Sequence, residues 1–152
     1  MDFELVRISD ANGEFYDYNL KEELSINEHD LHNEFGQQPV KYVYWSSVLE
    51  QVRGYLESAT LNEEIVRANM YEPARLDLMT KGTPKPTKDQ IEAWIINQED
   101  WVKAKNEVII YTKFVKQLQY IVKALEQRKD MLIQIGADSR KDKEYENHLR
   151  QL

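Results

Sequence analysis

The sequence predicts an all-α protein built on a long antiparallel helical hairpin with short flanking helices. Three observations carry that expectation. From Trp101 to Ile135 apolar residues recur in alternating steps of three and four: Trp101, Ala104, Val108, Tyr111, Val115, Leu118, Val122, Leu125 and Leu132, interrupted only at Lys129. That spacing keeps one helix stripe facing a partner over many turns. Tyr42, Trp45, Leu49, Val52, Leu56 and Ala59 repeat the pattern earlier in the chain. Between the two, Lys81-Gly82-Thr83-Pro84-Lys85-Pro86-Thr87-Lys88 reads as a basic loop, since two prolines and a glycine oppose regular structure. Two helices near thirty residues would each be about 45 Å long at 1.5 Å per residue.

The elements follow in chain order. Residues 3–18 are the least helical stretch. Asp10-Ala11-Asn12-Gly13 is a turn signal between two mixed segments, which fits a small β-hairpin. Isolated hairpins are marginal, so disorder or docking on a neighbour fits equally. Ser25 and Glu28 form a capping-box pattern that opens a short helix closed by Gly36. Pro39 suits the first position of the next helix, and Pro73 breaks or kinks that helix, because its ring clashes with the preceding turn. Thr87 and Gln90 make a second capping box, opening a helix through Ile91, Trp94 and Ile95. Asn97–Asp100 allows a brief interruption before the long helix, which Gly136 would stop. The expected divisions are an acidic segment over 1–24, a helical domain over 25–137, and a polar C-terminal helix or tail over 138–152.

A chain of 152 residues suits one domain. No run of eighteen apolar residues is present, so no membrane-spanning helix is expected. Residues 1–4 lack the basic and apolar regions of a signal peptide. Cysteine is absent, which removes disulfides, thiol catalysis and Cys-based zinc sites and fits a reducing cytoplasm. Net charge is −7, unevenly spread. Residues 1–36 hold ten acids and two bases, and the remainder seventeen acids and eighteen bases. The acidic segment serves solubility, docks on a basic partner, or screens the protein's own basic surface.

Catalytic patterns are missing. No glycine-rich phosphate loop, Ser-His-Asp layout or HExxH helix occurs, so a non-enzymatic role without cofactor or metal is expected. His29 and His32 share a helix face among acids, but no third ligand is marked, and pairing with those acids is the simpler account. The acidic pairs Glu22-Glu23, Glu63-Glu64 and Glu99-Asp100 read as solvated faces rather than catalytic dyads.

The basic residues point further. Arg67, Arg75, Lys81, Lys85 and Lys88 cluster around Pro73 and the loop, with Tyr71 among them and Trp94 one helix later. Cations beside aromatics suit single-stranded nucleic acid, where charge tracks phosphates and rings stack on bases; loop lysines also serve plain solubility. Lys113, Lys116 and Lys123 form a second candidate stripe, or flank a helical interface. Ile110, Phe114, Ile121, Ala124 and Met131 lie beside the first apolar stripe. Two stripes on one helix need two neighbours, and a second subunit supplies the missing one. Trp45, Tyr111, Phe114, Leu118 and Ile121 are therefore expected at a homo-oligomer interface. A ring of subunits would combine weak basic patches at high effective concentration.

The order of these features resembles the phage recombination mediators typified by UvsY over roughly residues 25–140. The shared features are Ile26-Asn27 before a short acidic helix, Tyr44-Trp45, Ala74-Arg75-Leu76-Asp77 ahead of a Gly-containing connector, Ile95, Asp100, the Tyr111 helix, and Ala124-Leu125-Glu126-Gln127-Arg128 leading to Ile133 and Ile135. The resemblance implies an all-α, ring-like homo-oligomer. It also implies binding to single-stranded DNA, displacement of single-strand-binding protein and loading of a RecA-like recombinase. The family's Lys-Ala-Arg-Leu motif reads Pro73-Ala74-Arg75-Leu76 here. Arg75 is retained, and the proline shifts the expected DNA contact toward Arg67 or the Lys81–Lys88 loop. A phage-encoded mediator would work in the host cytoplasm. The rival readings are a helical assembly or adaptor protein that binds only protein, and an inhibitor whose acidic segment mimics DNA.

Overall fold

The structure is a computed structural model, and it describes residues 4–9 and 14–151. The expected turn at 10–13 lies outside the described residues. Strands β1 (Leu5–Ser9) and β2 (Phe15–Asn19) pair antiparallel, with Val6 opposite Tyr18 and Arg7 opposite Asp17. Helix α1 (Leu20–Leu24) and a single 3-10 turn (Glu28–Asp30) precede α2 (Leu31–Thr80). Helix α3 (Lys88–Ile95) and helix α4 (Glu99–Arg150) complete the chain. The expected helical class, short helices, hairpin and basic loop are all present. Two compact units divide the chain: Met1–Ser46 with Tyr120–Leu152, and Ser47–Gln119.

In the first unit the hairpin is held by the start of α2. Tyr18 meets Trp45 edge-on with centroids 5.2 Å apart, and Tyr44 meets Trp45 edge-on at 5.4 Å. Tyr44 Oη donates to Tyr18 Oη at 2.6 Å. Burial, then that bond, pushes the Tyr44 phenol upward from its ordinary range. Trp45 is fully buried, and its indole N–H reaches Glu23. A two-stranded hairpin is marginal alone, and this aromatic cluster supplies the apolar face that it packs on. Along α4, Leu125, Arg128 and Leu132 are buried while Lys129 is exposed. The inward seam therefore passes through Arg128 at the turn where the apolar pattern is interrupted.

Several expected boundaries are corrected. Ser25 caps the end of α1, its hydroxyl donating to Glu22 O, and Asn27 caps the 3-10 turn by accepting from the His29 N–H. Helix α2 runs through Gly36 and Pro39, so neither bounds a helix. A helical glycine costs about 1 kcal/mol against alanine, and buried Gln38 and Trp45 on the same segment offset it. Gly136 does not stop α4, which continues to Arg150. A Cβ at Gly136 would lie 3.2 Å from the Phe35 ring, so its lack of a side chain serves close packing.

In the second unit α2 also runs through Pro73. An interior proline costs about 3 kcal/mol. The packing of the next residue offsets this: Ala74 is fully buried against Ile91 and Ile95 of α3, with Met70, Leu78, Trp94 and Trp101 around them. The small side chain at 74 lets α3 approach α2 closely. The Thr87–Gln90 capping box forms as expected, with Gln90 N–H to Thr87 Oγ1 at 3.3 Å and Thr87 N–H to Gln90 Oε1 at 2.9 Å. Helix α2 ends in a Schellman arrangement. Thr83 N–H bonds Leu78 O at 3.0 Å, Gly82 N–H bonds Met79 O at 3.2 Å, and Gly82 has φ +101°.

Candidate nucleic-acid interface

The end of α2, the 81–87 connector and the start of α3 bring Arg75, Lys81, Lys85 and Lys88 into one region of the second unit. The side chains are in different states. Lys81 Nζ donates to Asp77 Oδ2 at 2.7 Å. Arg75 Nε lies 3.6 Å from Glu72 Oε2, both half-exposed, a loose pair that a phosphate can replace. Lys85 and Lys88 are exposed, and among the described residues no carboxylate pairs with either. Within this region they are the cations freest to meet an anion.

Arg67 is committed elsewhere. Its Nη2 donates to Glu63 Oε1 at 2.7 Å, and its guanidinium carbon lies 6.0 Å from the Trp101 ring centroid. Glu63 is itself buried and also accepts from the Trp101 indole at 2.6 Å. The Arg67 Nε atom is buried without a partner among the described residues. Arg67 thus neutralises a buried carboxylate, and a phosphate would have to compete with Glu63 for it.

The same construction recurs about one turn before the connector. Asp77 accepts from Lys81 four residues on and from the Trp94 indole at 2.7 Å. The Lys81 bond first, then the Trp94 bond, hold the Asp77 carboxyl below the usual range. Glu63 and Asp77 were not legible as site residues. Their i,i+4 spacing to Arg67 and Lys81 is visible in the sequence, but the indoles that join them come from α4 and α3.

Lys113, Lys116 and Lys123 are exposed on α4, the first two in the second unit and Lys123 in the first. Tyr120, strongly exposed on the same helix, stands three residues before Lys123, so this stripe also has an aromatic beside it. The expected interface residues divide. Trp45, Leu118 and Ile121 are buried within their own chain, which corrects their assignment to a subunit interface. Tyr111 is half-buried, its ring centroid 5.8 Å from that of Tyr55. Phe114 is exposed, as are Ile109 and Ile110 beside it.

Among the described residues, no group of three or more His, Cys, Asp and Glu side chains is placed to hold a metal ion. No helix there is long and apolar enough to cross a membrane. No protein-family pattern, characterised protein or solved structure matches the chain.

Proposed function

We propose that the protein is a non-enzymatic recombination mediator. It binds single-stranded DNA as a ring-like homo-oligomer, displaces single-strand-binding protein and helps load a RecA-like recombinase. The observation that carries the DNA contact is a pair of lysines without a carboxylate partner among the described residues, Lys85 on the connector and Lys88 at the start of α3, near the weakly held Arg75. Cations with no carboxylate to give up bind phosphate at little cost. Tyr71, exposed one turn before Arg75, offers a ring for a base. Self-association is supported by apolar side chains left in water, among them Leu61, Ile110 and Phe114 in the second unit and Val43, Met131 and Ile133 in the first.

Those same exposed side chains also suit a helical assembly or adaptor protein without DNA binding, and one pair of measurements separates the two readings. Arg75→Glu with Lys85→Glu lowers affinity for a labelled oligothymidine by about tenfold or more at low salt, with the helical circular dichroism unchanged. Light scattering on the same samples reads the oligomer. A stable oligomer with no retention of single-stranded DNA at low salt would establish the adaptor reading instead.

A further inference from the structure

Asp77, in the last turn of α2, places a negative charge beside the basic connector. Its Oδ2 accepts from Lys81 Nζ and from Trp94 Nε1, both at 2.7 Å. The indole bond ties α3 to the end of α2 at the base of the connector, whose first residues are fixed by the Thr83–Leu78 and Gly82–Met79 bonds. The lysine bond draws Lys81 back along α2 rather than out beside Lys85 and Lys88. We infer that Asp77 is a positioning residue that restrains the anion affinity of this site: it anchors Trp94 and withholds Lys81 from phosphate. This rests on the reading of the connector as a single-stranded DNA contact.

An exposed ion pair four residues apart on a helix is weak, so Lys81 is held reversibly and not locked. Asparagine at 77 keeps a carbonyl oxygen for the Trp94 indole and removes the charge that holds Lys81. The anchor then survives while Lys81 is released. A freed lysine adds one phosphate contact, and each such contact steepens the salt dependence on single strands by about 0.7 in log–log slope. A lone loss of repulsion from any nearby carboxylate would not need Lys81. The coupling between positions 77 and 81 is therefore the distinguishing feature.

The test is a double-mutant cycle on the full chain, read by anisotropy of labelled oligothymidine over a range of salt. Asp77→Asn is expected to bind roughly two- to fivefold tighter with a steeper salt slope. Lys81→Gln alone is expected to change little, and Asp77→Asn/Lys81→Gln to return to wild-type affinity. Asp89→Asn, which removes a carboxylate from the first turn of α3, serves as a control without coupling to Lys81. Amine acetylation read by mass spectrometry supplies a second measurement without DNA: Lys81 should react more slowly than Lys85 in the wild type and at an equal rate in Asp77→Asn. Equal reactivity in the wild type would overturn the restraint, as would a folded Asp77→Asn that binds no tighter. Slow Lys81 acetylation in a wild type that binds no oligothymidine would overturn the DNA reading, and with it this role for Asp77.

Discussion

Arg128 donates to Gln38 Oε1 at 2.6 Å, joining α4 to α2 across ninety residues of sequence. Gln38 passes the connection on, its Nε2 donating to Leu125 O at 2.7 Å. The same guanidinium donates to Glu34 and reaches Ser25 O through Nε at 3.3 Å and Nη2 at 3.0 Å. Arg128 and Gln38 are both buried, so each relies on the other to replace water. The fork of an arginine suits this work, because it serves three acceptors in different directions at once.

Arg128→Met should therefore destabilise the protein by about 3–5 kcal/mol, since removing one partner leaves the Glu34 charge and Gln38 Oε1 without their donor in a largely buried site. Urea unfolding followed by circular dichroism measures the loss. Arg128→Lys should recover little, because a single ammonium cannot reach Ser25, Glu34 and Gln38 together. A loss under about 1 kcal/mol in Arg128→Met would show that the network is replaced by water or repacking.

The stripe spacing on α4 was enough to place the helix and most of its inward side chains. It did not distinguish Arg128 from Lys129, because steps of three and four from Leu125 to Leu132 pass through either. What selects Arg128 is the set of acceptors on α2 and at Ser25, which no local pattern reveals. Glycines and prolines misled for a related reason. Gly36, Pro39, Pro73 and Gly136 are breakers by propensity, yet tertiary packing at Gln38, Ala74 and Phe35 carries the helices through them. The connector was legible because its own residues dictate it: Gly82 supplies the positive φ, and Thr87 and Gln90 cap each other. The basic site was legible as a set of lysines and arginines, and which of them are free was not.

Glycine substitutions should separate the two kinds of position. Gly54 is exposed inside α2, and a Cβ there meets nothing within 4 Å. Gly54→Ala should stabilise the protein by about 0.5–1 kcal/mol, through helix propensity and a smaller unfolded-state entropy. Gly82 also has open space around it, but its φ of +101° strains any residue with a side chain. Gly82→Ala should lower stability by about 1 kcal/mol. Thermal melting of the two variants beside the wild type checks both signs, and a raised midpoint for Gly82→Ala would contradict the assigned turn.

Acid should weaken the protein in part through Asp77. Its folded-state value is depressed by the Lys81 and Trp94 bonds, so the folded chain binds fewer protons than the unfolded chain just below the ordinary aspartate value. The contribution is fully present above about pH 4, and it is lost as pH falls through that value toward the depressed one. From neutral pH down to about pH 5 this group should leave stability unchanged. Asp17, held low by its bonds from Arg7, acts in the same direction. Urea midpoints measured from pH 6 to pH 3 should therefore fall less steeply below about pH 4 for Asp77→Asn than for the wild type. Parallel curves would mean that the Asp77 bonds do not persist in solution.

Tyr71 offers a test of how a single strand is told from a bare run of phosphates. It stands four residues before Arg75, so the two share a helix face, and both are exposed. A base stacked on an aromatic ring contributes about 1–3 kcal/mol by alanine substitution, whereas phosphate contacts are indifferent to bases. An abasic oligonucleotide keeps every phosphate and removes every stacking partner. The wild type should bind oligothymidine more tightly than an abasic strand of equal length, by about tenfold. Tyr71→Ala should lose most of that preference while keeping its affinity for the abasic strand. Tyr71→Phe should retain the preference, because stacking needs the ring and not the hydroxyl. Equal binding of both strands by the wild type would leave the connector lysines as a purely electrostatic contact and remove Tyr71 from the site.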